Sequence, residues 1–353
     1  MAKKKRSTLP KNFDELIKAG DIAALKTVFE TCELDARGGY SKQTALSFFQ
    51  VPDELVRWLV EQGADINAVD RYQCTALHEQ SGMWCGNVTL LLELGADIEV
   101  RDYQNETPLH HAATRFQVHA VQALIAHGAN VHAENSMRWT PLRKALAACR
   151  NMDIENVVEV AACLIDAKAS VTEEIVAEVQ RIGKDFEFHR EKFNKDSLAE
   201  TEAALLRLYE LFGVTPVVKR RMHDGVSQIE VTATGWEAQH AELWDFLVPS
   251  QGSAPTVQGE VIRITGRVAY EILDNGGANW DRDYRKMLDA LVRHLASGIP
   301  LEADALKEVS ELVALLRGGD GDNDEVLRLN ELAVRWVLAN PNPTSLEPPA
   351  YRR

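Results

Sequence analysis

The phrase "QTALSFF", with its threonine at 44, returns as "CTALHEQ" at Thr75, "ETPLHHA" at Thr107 and "WTPLRKA" at Thr140. The steps between these threonines are 31, 32 and 33 residues. A second phrase keeps the same register: "GADIN" from Gly63, "GADIE" from Gly95, "GANVH" from Gly128 and a degenerate "AKASV" from Ala167. No other feature limits the fold as tightly, because a period of this length marks one supersecondary unit copied along the chain. Such a unit cannot bury its apolar face alone and must stack on its neighbours.

The chemistry of each phrase predicts a helix–turn–helix. In "ETPLHHAA", Thr107 suits a helix N-cap and Pro108 the first helical position, where no N–H is needed. Leu109, Ala112 and Ala113 make a small apolar face for close helix packing. The second amphipathic stretch, "VQALIAHGANV", ends at Gly128, a residue suited to the left-handed cap. Ahead of these, "FDELIKAGDIAALKTVFE" reads as two short helices around Gly20-Asp21, the form expected of an N-terminal capping repeat. The paired phrases resemble the ankyrin repeat family, with five repeats over residues 11–171 once the cap is counted. The resemblance implies an all-α, ankyrin-repeat solenoid whose business is binding other proteins. Three departures stand out: Pro52 shortens the link between two helices, Gln80 and Ser81 stand where the family prefers alanines, and about six extra residues lie in "AACRNMDIENVVEVAACL".

The family resemblance also implies which residues face a partner. The turns ahead of each T-x-L phrase form finger tips, here carrying Tyr40, Arg71, Tyr72, Tyr103, Met137 and Trp139; Met83, Trp84, Arg115 and Phe116 follow the first helices. Tyr, Trp, Met and Arg are the types enriched at interface hot spots, and tyrosines one repeat apart would form a rigid amphipathic strip. His78 and His110 stand at the fourth place of the phrase, where the family's histidine ties adjacent turns together. His111, His119, His127 and His132 lie nearby, but the spacing is that of the repeat and not of a metal-ligand cluster, so no metal is expected.

Beyond the repeats, "VTEEIVAEVQRIGKDFEFHREKF" and "SLAETEAALLRLYELFGVTPV" predict a helical hairpin over 172–213, an enlarged cap on the stack. Residues 214–235 are the least helical part, with a turn at "HDG" and strand-like residues in "QIEVTAT". Helical spacing then resumes and continues to 340, so 214–340 reads as an all-α C-terminal domain. Residues 341–353 form a Pro-rich tail, and residues 1–10 a basic, disordered start. The run from "LVPSQGSAP" through "NGGANWDRDY" is weakly similar to a helical segment of uncharacterised bacterial proteins, a likeness that implies no activity.

Two acidic loops invite a metal reading. Asp320, Asp322, Asp324 and Glu331 mimic a calcium loop, but Glu325 occupies the sixth place, where the sharp turn needs glycine. Asn323 as N-cap, with Asp324 and Glu325 facing the helix dipole, accounts for the same residues. In "EILDNGGANWDRDY", Gly276 or Gly277 suits a left-handed helix end, Asn279 an N-cap, and Trp280 and Tyr284 a shared helix face. That stretch reads as a helix–turn–helix corner.

Charge and cysteine usage bound the function. A net charge of -14 disfavours nucleic acid as a partner and suits a basic protein. Five cysteines without a CxxC pair fit a reduced, cytoplasmic protein, and no run approaches the roughly 18 apolar residues that cross a membrane. "MAKKKRSTLPKNF" lacks the apolar segment of a secretion signal. No catalytic motif and no cofactor motif is present. The expectation is therefore a non-enzymatic scaffold or an inhibitor or immunity-type partner of another protein. The alternative is an enzyme housed in the C-terminal half, with His223 or His240 and Asn275 or Asn279 converging in a cleft and the repeats recruiting substrate.

Overall fold

A computed structural model describes residues 4–352, and its chain separates into two compact units. One comprises the residues up to Phe186 together with Phe193–Val217; the other comprises Glu187–Lys192 and everything from Val218 onward.

The first unit is a stack of helix pairs. The cap consists of α1 (Phe13–Ala19) and α2 (Ile22–Thr31), separated by Gly20 in the left-handed conformation and by Asp21, whose carboxylate caps α2 through the Ala24 amide. Then come α3 (Asp53–Glu61), α4 (Ala76–Ser81), α5 (Val88–Glu93), α6 (Pro108–Thr114), α7 (Val118–Ala126), α8 (Pro141–Ala148) and α9 (Ile154–Asp166). First helices pack on first helices, α4 on α6 and α6 on α8, and second helices likewise, α5 on α7 and α7 on α9. Leu77, Leu109, Leu142, Leu91, Val121 and Leu124 are fully buried between them. The long α10 (Glu173–His189) and α11 (Lys195–Phe212) follow, and α11 packs on α9, prolonging the outer layer.

Each second helix ends the same way. Gly63, Gly95 and Gly128 take φ of +97°, +91° and +89°, and the next amide bonds back to Leu59, Leu91 and Leu124. In the degenerate copy, Lys168 adopts φ +70° while the Ala169 amide bonds back to Leu164. The left-handed residue is thus Lys168, one place after the Ala167 at which the phrase was expected to begin.

Two local expectations fail for identifiable reasons. Residues 6–8, read from sequence as part of a disordered start, form β1 (Arg6–Thr8), which pairs in parallel with β2 (Cys32–Arg37). The Lys5 ammonium also donates to the Phe29 carbonyl, and Leu9 is buried, so this segment has backbone and core partners of its own. In the repeat opened by Thr44, the first helix shrinks to a single 3-10 turn, Ala45–Ser47. Phe48 leaves that turn in extended conformation and buries its ring against Phe13, 5.1 Å away. The next repeat supplies the missing hydrogen bonds: Gln80 Nε2 donates to the carbonyls of Leu46 and Phe48, both at 3.0 Å, and Asn87 Nδ2 to that of Val51 at 2.9 Å. Gln80 Oε1 in turn accepts from the Asn87 amide. An alanine at 80 could do none of this.

The second unit is helical too, with α12 (Trp236–Leu247), α13 (Val257–Ala269), α14 (Arg282–Leu295), α15 (Ala303–Leu316) and α16 (Asn323–Ala339). Its centre is α13, which packs against α12, α14 and α16. Residues 228–234, strand-like in sequence, form no ladder; the Thr232 and Ala233 amides go to the Glu242 carboxylate and the Ile229 amide to the Pro341 carbonyl. Buried within α13, Glu260 and Arg263 meet through two bonds of 2.7 and 2.8 Å. Residues 341–352, the described part of the expected Pro-rich tail, are anchored to this helix. Gln258 bonds the carbonyls of Asn340 and Asn342 and the amide of Thr344, and the buried Tyr351 hydroxyl donates to Glu260 at 2.7 Å. Prolines keep the segment extended, and buried polar groups on α13 hold it down.

The acidic corners are helix ends. Gly276 and Gly277 take φ of +57° and +72° after a π-helical turn, Tyr270–Asp274. The N-cap of α14 is Asp281 rather than Asn279, because the Asn279 amide is bonded to Glu271 at 2.5 Å. Trp280 stacks on Tyr284 with ring centres 4.7 Å apart, and its indole N–H donates to the Arg317 carbonyl in the α15–α16 connection. At α16 the N-cap is Asp322 and not Asn323, in a reciprocal box with Glu325. Glu331 of the candidate calcium loop pairs with Arg328 on the helix itself.

Candidate functional site: the fingers and inner face of the repeats

Three fingers share one construction. Asp70 Oδ1 accepts from the amides of Tyr72 and Cys74, Asp102 Oδ1 from those of Gln104 and Glu106, and Asn135 Oδ1 from those of Met137 and Trp139. Short side-chain acceptors of this kind substitute for a backbone partner in a tight turn. The residue before the last amide takes a left-handed conformation, at Gln73, Asn105 and Arg138. Consecutive fingers are joined edge to edge: the Arg71 amide donates to Ser41, Tyr103 to Tyr72 and Ser136 to Gln104.

This scaffold aligns the predicted tip residues. The Arg71 guanidinium lies 3.9 Å from the ring centre of Tyr40 and 4.7 Å from that of Tyr72, and Tyr72 and Tyr103 stand 5.7 Å apart. Tyr40 is 82% exposed, Tyr103 59% and Met137 63%. Trp84 is exposed as well and tilts over Phe49, while Met83 is half-buried beside it in a shallow pocket bounded by Gln117 and His119. Three residues are less free than their positions suggest. Trp139 is half-buried under Arg143, Phe116 turns left-handed at φ +54° and packs on the core, and the Arg115 side chain lies beside Gly82.

The histidines of the T-x-L-H phrase serve the frame. His78 Nδ1 accepts from the Thr75 amide at 3.2 Å and Nε2 donates to the Glu106 carbonyl at 3.0 Å; His110 repeats this with Thr107 and Trp139. Burial lowers both rings to a pKa of about 4, so they are neutral. His119, His127 and His132 are exposed and scattered.

His111 is different. It lines a cavity of about 400 Å³ between fingers and first helices, together with Tyr72, Cys74, Asp102, Glu106 and Lys144. His111 Nε2 is 3.1 Å from Asp102 Oδ2 and 3.9 Å from Glu106 Oε2, and Lys144 pairs with Glu106. Burial alone would raise the Asp102 carboxyl, but the bonds from His111 and from the Glu106 and Gln104 amides leave it below the usual range. Burial, reinforced by Asp70, Glu79, Asp102 and Glu106, pushes the Cys74 thiol well up. None of these cavity residues except Tyr72 was singled out as a contact from sequence. The signal was available: the residue before each threonine (Cys74, Glu106, Trp139) and the one after each phrase's fourth place (Glu79, His111, Lys144) form facing columns.

The residues proposed for a catalytic cleft do not converge. His240 is bonded to Thr265, stacks on Trp244 and is lowered to about 4 by burial. His223 packs edge-on against Phe246 and accepts from the Gly225 amide. Asn275 and Asn279 both bond Glu271 in the turn after α13. A cavity of about 280 Å³ in this unit is lined by Lys286, Asp289, Arg293, His294 and the 346–351 segment, and includes none of the four.

Comparison with known proteins accords with the repeat geometry. A family model described as ankyrin repeats in three copies matches residues 81–174, and a second, ankyrin repeats in many copies, matches residues 52–79. The chain is similar to protein fem-1 homolog A of Danio rerio, 48% identical over 52 residues covering 15% of this chain and 8% of that protein. It is also similar to the poly [ADP-ribose] polymerase tankyrase of Caenorhabditis elegans, 26% identical over 315 residues covering 81% of this chain and 13% of that protein. A third likeness is to the transient receptor potential cation channel subfamily A member 1 of Drosophila melanogaster, 32% identical over 162 residues, 41% of this chain and 14% of that protein. The chain thus spans about a tenth of the length of these relatives. By its phrases, its stacked helix pairs and these matches, the N-terminal half of the chain carries ankyrin repeats.

Proposed function

We propose that this protein binds another protein through the finger tips and inner face of its repeats, acting as a scaffold or inhibitor. The observation that carries the reading is the ladder Tyr40–Arg71–Tyr72–Tyr103, held on successive fingers by the edge-to-edge amide bonds. These rings are rigid, amphipathic and exposed, so a partner covering them gains contact area at little entropic cost. Behind the ladder lie Glu79, Asp102 and Glu106, and the chain's net charge is -14. Both features favour a basic partner, steered in by charge and anchored on the aromatic strip. Five cysteines outside any disulfide support a reducing, cytoplasmic setting.

The test is affinity capture with the native chain, followed by quantitative binding of the recovered partner to the double variant Tyr72→Ala, Tyr103→Ala. Loss of at least tenfold in affinity with unchanged thermal stability supports the surface. Equal binding by the variant rejects it.

A further inference from the structure

The floor of the repeat cavity gathers donor atoms beyond those that build the fingers, for Asp102 Oδ1 holds its turn while Oδ2 faces His111. A sulfur of Cys74, a carboxylate oxygen of Asp102 and a ring nitrogen of His111 all lie within 4.8 Å of one another. We infer that Cys74, Asp102 and His111, with Glu106 as a fourth donor in reach, form a zinc-class divalent-metal site shared between two neighbouring repeats.

Geometry is the first support. Ligands bound 2.0 Å from a tetrahedral zinc are ~3.3 Å apart, and a thiolate and a nitrogen are ~3.5 Å apart. Asp102 Oδ2 and His111 Nε2 are separated by 3.1 Å, and Glu106 Oε2 stands 3.9 Å from the same nitrogen. Closing the set takes a small swing of the Cys74 thiol and release of Glu106 from Lys144. The His111 ring is held for this by edge-on contact with His78, 5.1 Å away, whose own nitrogens are committed to backbone groups. Access is provided by the cavity, which all four donors line.

A second, independent observation is an unbalanced charge. Asp70 is 7% exposed, and its Oδ2 has no hydrogen-bond partner among the described residues. A carboxylate oxygen of Asp70, with one of Glu79, also falls within 4.8 Å of the Cys74 sulfur. A buried carboxylate oxygen left unbonded is costly, and the carboxylates of Asp70, Glu79 and Asp102 crowd around one sulfur. A divalent cation offsets that crowding: it neutralises the carboxylates, and the thiol proton passes to solvent as the sulfur binds. A donor set of sulfur, imidazole and carboxylate selects zinc over magnesium or calcium, which take oxygen.

This inference does not depend on the partner-binding reading, since it is measured on the isolated chain. The full-length, metal-free protein is titrated with zinc by calorimetry and with cobalt by absorption. Expected are one ion per chain, a thiolate-to-cobalt charge-transfer band, and a rise in Tm with zinc. Cys74→Ser and His111→Gln should each weaken zinc binding at least tenfold, while Cys163→Ser leaves it unchanged. Should Cys74→Ser fail to fold, the cobalt spectrum of the unaltered chain and the His111→Gln titration still decide. Absence of the thiolate band, no zinc uptake, or unchanged affinity in His111→Gln would overturn the site.

Discussion

His78 Nε2 lies 3.0 Å from the carbonyl oxygen of Glu106, a bond from one repeat to the next that only a neutral ring can make while its other nitrogen accepts from the Thr75 amide. His110 does the same toward Trp139. Both rings are lowered from 6.5 to about 4 by burial, so the unfolded chain takes up protons that the folded chain refuses. Stability is therefore complete above pH 6.5 and is lost as pH falls toward 4, by up to roughly 3 kcal/mol per ring. Urea midpoints at pH 7.5 and 5.0 measure this. The midpoint should fall, and the fall should shrink in His78→Gln, His110→Gln; a midpoint flat with pH would refute the assignment.

Gln80 is the clearest case of a residue that defies family habit for a local reason. Gln80→Ala removes two bonds to the carbonyls of Leu46 and Phe48 and one from the Asn87 amide. Burial of those groups without partners should cost roughly 2 to 3 kcal/mol, although alanine is the smaller and commoner residue at that place. Equilibrium denaturation of the single variant checks the sign.

The period and the helix pairs were legible in sequence, because they rest on local signals: a threonine or aspartate at a helix start, a glycine at its end, an apolar face between. The shrunken helix at Ala45–Ser47 was not legible, since its cause lies some 34 residues away in Gln80. Of the Cys74–Asp102–His111 cluster, Cys74 and His111 keep repeat register, but their meeting with Asp102 joins adjacent fingers and a first helix that share no short spacing. The cap at Asp281 in place of Asn279 turns on a bond to Glu271 formed only once the π turn has brought the two together. Tyr351 looked like the end of a Pro-rich tail because its partner, Glu260, is 91 residues upstream.

Within α13, Glu260→Ala should be among the most damaging changes in the second unit. It removes both bonds, of 2.7 and 2.8 Å, that Glu260 makes to the buried Arg263 guanidinium, at a cost of about 3 to 5 kcal/mol. Tyr351→Phe removes only the 2.7 Å bond to Glu260 and should cost about 1 to 2 kcal/mol. The ratio of the two, from parallel melts, tests whether the last residues belong to the core.

The adjacent glycines of the α13–α14 corner should respond unequally. Both are left-handed, but a Cβ at Gly276 meets open space, whereas one at Gly277 would stand 2.6 Å from the Gly319 carbonyl oxygen. Gly276→Ala is expected to cost about 1 kcal/mol, and Gly277→Ala roughly 2 kcal/mol or more, because the backbone of the next loop must move. Equal melting temperatures for the two variants would contradict that contact.

The Gln80 bridge also bears on how this stack can be cut and rejoined. Repeat arrays are usually treated as beads that can be deleted or duplicated singly. Residues 44–94 do not obey that grammar, for the repeat opened by Thr44 borrows the hydrogen bonds of its first helix from the repeat opened by Thr75. The two form one word of double length, and any splice that keeps the first must carry the second with it.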